Sequence, residues 1–187
     1  MYTQEFEKKL LLNESEFYTL RELLFSGENA KYDDQVNYYY DTQNHELNQK
    51  GITCRIRQKN GAFKGTIKTH FNNGDDGSHE ENFRVDSLPY QYVVGSSMVT
   101  LQGSLYTRRC EIAPFPGIRL MLDQNWYLGI CDFELEIEYL PACASQAEGV
   151  WGTILHILHR SYTETNRRFK SRRFFSRKSI LLHNTNK

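Results

Sequence analysis

Paired cysteines are missing from this sequence. Cys54, Cys110, Cys131 and Cys143 are spread along the chain, and none forms a Cys-x-x-Cys pair. That weakens zinc-ribbon and thioredoxin-type readings and leaves four reduced, mostly buried thiols as the expectation. A net charge is missing too, because 23 basic residues balance 23 acidic ones. This argues against a general nucleic-acid coat, so nucleic acid is not an expected partner, although local clusters of charge are untouched by the total. No apolar run approaches the length of a membrane-spanning helix, and no membrane partner is expected. Near the N-terminus, Glu5, Glu7, Lys8 and Lys9 interrupt any apolar stretch, so a signal peptide is not expected and the cytoplasm is the expected compartment. Internal repeats are also absent.

What is present is a set of short alternating segments in a chain of 187 residues that is 13% aromatic, which favours strands. The length suits one domain over residues 1–180, with 181–187 as a flexible tail. Tyr2 to Leu12 reads as a strand. Asn13 and Glu16 then make a capping-box pair ahead of Phe17, Leu20, Leu23 and Leu24, with Gly27 as a stop. Strands are expected over Gln35–Thr42, Ile52–Lys59, Ala62–Thr69 and Glu80–Val85, with a hairpin turn at Asn60-Gly61. Ser87 to Gly103 is ambiguous. Leu105–Ile112, Ile118–Asp123 and Cys131–Leu140 complete the strands. Ser145 can cap a helix whose apolar face is Val150, Ile154, Leu155, Ile157 and Leu158. About eight strands with helices at intervals imply an α+β protein built on an antiparallel sheet that closes or nearly closes on itself.

In a strand, residues two apart share a face. One phase carries Glu5, Glu7 and Lys9; Arg55 and Arg57; Thr66 and Lys68; Glu80; Thr107, Arg109 and Glu111; Arg119 and Asp123; Glu134, Glu136 and Glu138. The other carries Phe6, Cys54, Ile56, Ile67, Cys110, Ile112, Leu120, Leu122, Leu135 and Ile137. A conventional sheet would bury the apolar phase and solvate the charged one. An inverted arrangement would turn the apolar phase outward under helices and line an interior with charge, which requires a polyanion and metal ions to fill it. Alternation alone does not choose between the two. Stacked glutamates such as Glu134, Glu136 and Glu138 do suggest oxygen ligands for a divalent cation.

These segments, taken in order, resemble the CYTH family, the triphosphate tunnel metalloenzymes. The matching residues are Glu5-x-Glu7-x-Lys9, Tyr39-Tyr40-Asp41-Thr42, Arg55-x-Arg57, Thr66-Ile67-Lys68, Glu80, the Arg108-Arg109 strand, Leu122-Asp123, Asp132 to Glu138, and Lys170 to Phe174. The similarity covers nearly the whole chain and is closest to the bacterial inorganic-triphosphatase-like branch. It implies an eight-stranded antiparallel closed β-barrel, a tunnel, with helices packed outside. It further implies metal-dependent hydrolysis of a triphosphate, inorganic triphosphate first, with thiamine or nucleoside triphosphate hydrolysis, adenylyl cyclisation, or non-catalytic binding of triphosphate or RNA 5′ ends as alternatives.

The resemblance also implies roles. Lys9, Arg55, Arg57, Lys68, Arg109, Arg119, Lys170 and Arg173 would bind the small polyphosphate substrate. Glu5, Glu7, Glu80, Glu136 and Glu138 would hold Mg2+ or Mn2+. Glu7 and Lys9 would act in catalysis. Arg109 competes with Arg108 for one place, and Arg173 with Arg172 for another. Glu134 reads as a structural carboxylate, Tyr38 to Tyr40 as packing residues, Asp41-Thr42 as a turn, and His156 with His159 as a solvent-facing pair rather than a zinc site. The aromatics Phe169, Phe174 and Phe175 suggest that the basic C-terminal segment packs against the core.

Overall fold

The computed structural model describes residues 2–70, 77–161 and 169–185. Nine strands form one antiparallel sheet: β1 (Tyr2–Leu12), β2 (Lys31–Asp41), β3 (Ile52–Lys59), β4 (Ala62–His70), β5 (Gly77–Val85), β6 (Gln91–Val94), β7 (Ser97–Phe115), β8 (Ile118–Tyr127) and β9 (Ile130–Tyr139). Four helices accompany them: α1 (Glu14–Leu24), α2 (Glu46–Gln49), α3 (Ala144–Ile157) and α4 (Lys170–Thr185). The strand order is β2-β3-β4-β5-β1-β9-β8-β7-β6, with an additional β2–β7 pairing from Lys31↔Glu111 to Asp41↔Thr100. The sheet curls strongly, with helices outside, until β2 meets β7. The eight-stranded cylinder expected from the sequence is corrected to nine strands: eight follow one another in a ring through the β2–β7 pairing, and β6 lies beyond β7. The ambiguous segment supplies a ninth strand, because Gly95, at a positive φ of 60°, turns β6 back onto β7. The concave face also opens to solvent between the exposed side chains of Lys59, Lys64 and Arg119.

The inverted arrangement is the observed one. Leu10, Leu12, Cys110, Ile118, Leu120, Leu122, Leu135 and Ile137 face outward and are covered by Phe17 and Leu20 of α1 and by Ala147, Trp151, Ile154 and Leu155 of α3. A second outer cluster joins Cys54 and Ile56 to Tyr40, Leu47 and Val99. The sheet therefore buries its apolar surface on its convex side, and the helices are needed there to exclude water.

Local chemistry explains the helix starts. Asn13 accepts from the Glu16 amide at 2.9 Å while Glu16 accepts from the Asn13 amide at 2.8 Å, the expected capping box. The helix ends at Leu24, short of Gly27, because the Phe25 amide closes on the Arg21 carbonyl and Phe25 itself is buried. Cys143, not Ser145, precedes α3. Asp41, expected in a turn, is instead the last residue of β2; its carboxylate accepts from the amides of Thr42, Leu47 and Asn48 and so caps the short α2. Cys54 and Cys110 are buried and all four cysteines are free, but Cys143 is half-buried and Cys131 exposed, so only two of the thiols expected to be mostly buried are so. His156 and His159 are exposed, as expected.

The basic C-terminal segment forms α4, which runs to Thr185 and includes part of the expected tail. Phe174 and Phe175 pack on Tyr39, Leu105 and Tyr127 at one end of the sheet. Gly103 permits this. A Cβ at that position would meet the Phe174 ring at 2.8 Å, and its φ of 141° is one that L residues rarely adopt. Among the described residues, no helix is long and apolar enough to cross a membrane. Gly103→Ala is expected to destabilise the protein by about 1–3 kcal/mol through strain and displacement of Phe174, read as a lowered thermal midpoint; an unchanged midpoint would show that α4 does not depend on this close approach.

Candidate active site

The concave face encloses a cavity of about 250 Å³. Nine basic side chains line it against five acidic ones. Their placement follows from strand phase. β1 contributes Glu7 and Lys9, β3 Arg55 and Arg57, β4 Lys68, β7 Arg109, β8 Arg119, β9 Glu136 and Glu138, and α4 Lys170. Glu80 of β5 also lines it. The structure therefore brings together most of the residues singled out in the sequence. Arg173 sits behind this wall, and the Glu5 side chain lies outside the described residues. The Arg108 ambiguity resolves in favour of Arg109, since Arg108 is on the outer surface against Asp34. Likewise Arg173 is the inward member of its pair and Arg172 is exposed.

Ion pairs divide the cavity into two unlike regions. In the first, acids and bases neutralise one another. Lys9 Nζ lies 3.1 Å from Glu7 and 2.9 Å from Glu136. Lys68 Nζ lies 3.0 Å from Glu7 and 3.3 Å from Glu80. Arg109 reaches Asp123 and Glu136, each at 2.6 Å. Lys170 Nζ sits 2.8 Å from each of Asp123, Glu134 and Glu136. Arg173 holds Asp132 and Glu134, both at 2.8 Å, so Glu134 is the structural carboxylate expected of it. Burial pushes the Glu7 carboxyl up, but Lys9 and Lys68 outweigh it and hold the group down at about 2. Burial likewise opposes ionisation of Glu136, and Lys170, Lys9 and Arg109 together drive its carboxyl well below the usual range. Lys9 is raised because Glu136 and Glu7 outweigh its own burial.

The second region, on β2 and β3, is not neutralised. Arg57 Nε donates to the Asn37 amide oxygen at 2.8 Å, and among the described residues no carboxylate is within ion-pair distance of it. Burial, with Arg55 and Arg109 nearby, pulls its guanidinium down to about 9. Arg55 approaches Glu80 only at 3.9 Å, and its buried Nε has no hydrogen-bond partner. A half-buried cation held in this way favours any anion that can enter.

The expected metal-binding carboxylates include Glu5, whose side chain lies outside the described residues. Among the described residues, no three His, Cys, Asp or Glu side chains gather closely enough to hold a cation by themselves. Glu7, Glu80 and Glu136 are instead spanned by lysines. Glu7 and Glu138 do stand directly opposite each other across β1 and β9. Glu138 is paired with Arg119. One or two carboxylates with this hard-oxygen chemistry suit a magnesium-type ion, which keeps waters and takes substrate phosphate oxygens for its remaining positions.

Several lining residues were not legible in the motifs: Gln35, Thr53, His70 and Phe169; Tyr39 and Ser171 fall within motifs but were given no binding role. Thr53 shares the phase of Arg55 and Arg57 and could have been inferred from it; its hydroxyl meets that of Ser171 at 2.7 Å. His70 stacks on Phe169 with centroids 3.5 Å apart, and burial and Lys68 push its imidazole down to about 3. Tyr38 to Tyr40 pack as expected, although Tyr39 also borders the cavity.

The sequence profile of the CYTH domain matches residues 3–140. The Bacillus subtilis protein YjbK, by name a candidate triphosphatase, is 30% identical over 147 residues that span 72% of this chain and 76% of that protein. The solved structure of a candidate adenylate cyclase from Bacillus halodurans is 27% identical with a TM-score of 0.76, covering 93% of this chain and 98% of its own. A Hippeastrum candidate adenylyl cyclase, described as having a dominant triphosphatase activity, has a TM-score of 0.70 at 19% identity, covering 94% and 96%, a likeness of fold alone.

The depressed carboxyls give a pH dependence with a definite sign. As pH falls below the ordinary 4.5, the unfolded chain takes up a proton at Glu7 that the folded protein refuses until about 2. Stability present above pH 4.5 is therefore expected to decline across that interval. Glu7→Gln should flatten the fall in thermal midpoint, and an equally steep fall in the variant would place the effect elsewhere.

Proposed function

This chain belongs to the CYTH domain family, and from that membership we propose that it hydrolyses inorganic triphosphate to pyrophosphate and phosphate with the help of Mg2+ or Mn2+. The observation that carries the reading is the weakly compensated Arg55–Arg57 region of a cavity lined, among the described residues, by nine bases and five acids. A triphosphate supplies several negative charges over a short span. Its oxygens would replace the missing partners of Arg55 and Arg57, with bidentate pairing available to each guanidinium. Lys9, Lys68, Arg109, Arg119 and Lys170 would hold the rest of the chain of phosphates, and Arg173 would fix the α4 end through Asp132 and Glu134.

Hydrolysis here is chiefly positioning and charge neutralisation. Water attacks the terminal phosphorus, the bond to the bridging oxygen breaks, and pyrophosphate departs. A carboxyl held near 2 is a weak base, so Glu7 would orient the water by accepting its hydrogen bond rather than fully removing its proton. Lys9, between Glu7 and Glu136, would stabilise charge developing on the transferred group. A divalent cation, when bound, would take one or two carboxylates from among Glu5, Glu7, Glu80, Glu136 and Glu138 and would neutralise phosphate oxygens.

Adenylyl cyclisation is the second reading, favoured by what the Bacillus halodurans relative is named for. A panel of inorganic triphosphate, ATP and thiamine triphosphate at equal Mg2+ or Mn2+ separates the readings. Phosphate release fastest from inorganic triphosphate, abolished by chelation, is expected; cyclic AMP from ATP without phosphate release would replace the proposal, and binding without turnover would make the chain a binder. Arg57→Ala should weaken triphosphate binding by roughly tenfold or more, the scale of about 1.4 kcal/mol. Glu7→Gln should leave binding near wild type and slow turnover by roughly a hundredfold. Equal loss of affinity in both variants would contradict this division of roles.

A further inference from the structure

The part of the β2 inner face that borders the cavity carries Gln35 and Tyr39, with Asn37 buried between them against Arg57. Gln35 and Asn37 occupy successive inward positions there, 3% and 0% exposed. Each has a buried amide nitrogen without a hydrogen-bond partner: Nε2 of Gln35 and Nδ2 of Asn37. Leaving two such donors unsatisfied is destabilising, and apolar side chains would serve better if the positions were only structural. Asn37 stands beside the Arg57 guanidinium, with which it pairs across β2 and β3, and Gln35 pairs with Lys59, whose ammonium is held by Asp33 at 2.7 Å. Asn37 is also committed through its oxygen, which accepts from Arg57 Nε at 2.8 Å, so its free NH2 is turned away from that bond.

We infer that Gln35 and Asn37 are substrate-binding residues, whose amide N–H groups donate to the oxygens of the phosphates held by Arg55 and Arg57. The inference rests on the functional reading above and deepens it by adding a neutral donor strip to the anion site. Neutral donors suit this place. Arg55, Arg57 and Arg109 already repel one another, and a further cation would raise that repulsion, whereas an amide adds a hydrogen bond without adding charge. Asn37 has a second duty as a positioning residue for Arg57. The carboxylates lie on other strands, so this strip would take the phosphates away from the attacked one.

Isosteric variants test it by calorimetric titration with inorganic triphosphate under chelation, which prevents turnover. Gln35→Met keeps the shape and removes the donor; Gln35→Glu keeps the shape and reverses it. Affinity should fall about tenfold in the first and further in the second. Asn37→Asp keeps the acceptor for Arg57 but supplies a carboxylate partner, so the ligand-free protein should melt higher while triphosphate affinity falls more than tenfold. Unchanged affinity in Gln35→Met and Gln35→Glu, with wild type binding normally, overturns this inference alone. Wild-type protein that does not bind triphosphate overturns the functional reading and this inference with it.

Discussion

Charge placed inside a protein must be compensated, and this architecture follows from how that is done. The inward phase of the strands carries lysines, arginines and glutamates that cannot face a low-dielectric interior unpaired. The outward phase is apolar and cannot face water over a whole sheet. The curled sheet with helices on its convex side satisfies both demands. Lys9, Lys68, Arg109 and Lys170 each bridge carboxylates from different strands, so the inner face is held together by interlocking pairs rather than by packing. Where compensation stops, at Arg55 and Arg57, the interior becomes receptive to an anion.

The same logic gives α4 its place. Its aromatic side chains enter an apolar cluster with Tyr39, Leu105 and Tyr127, while Lys170 and Arg173 reach buried acids of β8 and β9. Replacing either base would leave Asp123 or Glu134, both essentially inaccessible to water, with one counter-charge fewer, so the helix is fastened by groups that are costly to lose. Stability of the C-terminal element and integrity of the charged cavity are thus properties of the same contacts.

Much of this was legible in the sequence because strand phase and capping chemistry are local. The alternation of Glu5 to Lys9 and Glu134 to Glu138, the Asn13–Glu16 box and the Asn60-Gly61 turn each depend on neighbours a few residues apart. The choice between a conventional and an inverted sheet was not legible, because alternation is symmetric with respect to which face is covered; α1 and α3 decide it through tertiary packing. The β6–β7 hairpin was obscured by Gly95 within a β-branched stretch that reads equally as helix or strand. Lys170 and Arg173 could be named from motif likeness, yet their helix was unreadable, since its buried face mixes bases with aromatics. Gln35 and Asn37 escaped notice because uncharged amides in an aromatic strand carry no pattern of their own; only the unmet valence of their nitrogens marks them.

The sheet also has consequences for how the molecule comes into being. Lys9 and Glu136 are 127 positions apart in the chain, and β2 pairs with β7 across an intervening stretch that includes four other strands. Such distant partners must find each other at a loop-closure cost before any contact rewards them, which places the assembly of the anion site late in folding and makes it slow. Hairpins β3–β4 and β8–β9 can form early and alone, but neither contains a complete site. A polyanion therefore has nothing to grip in the nascent chain, and its grip on the finished one would lengthen the lifetime of the native state rather than hasten its formation.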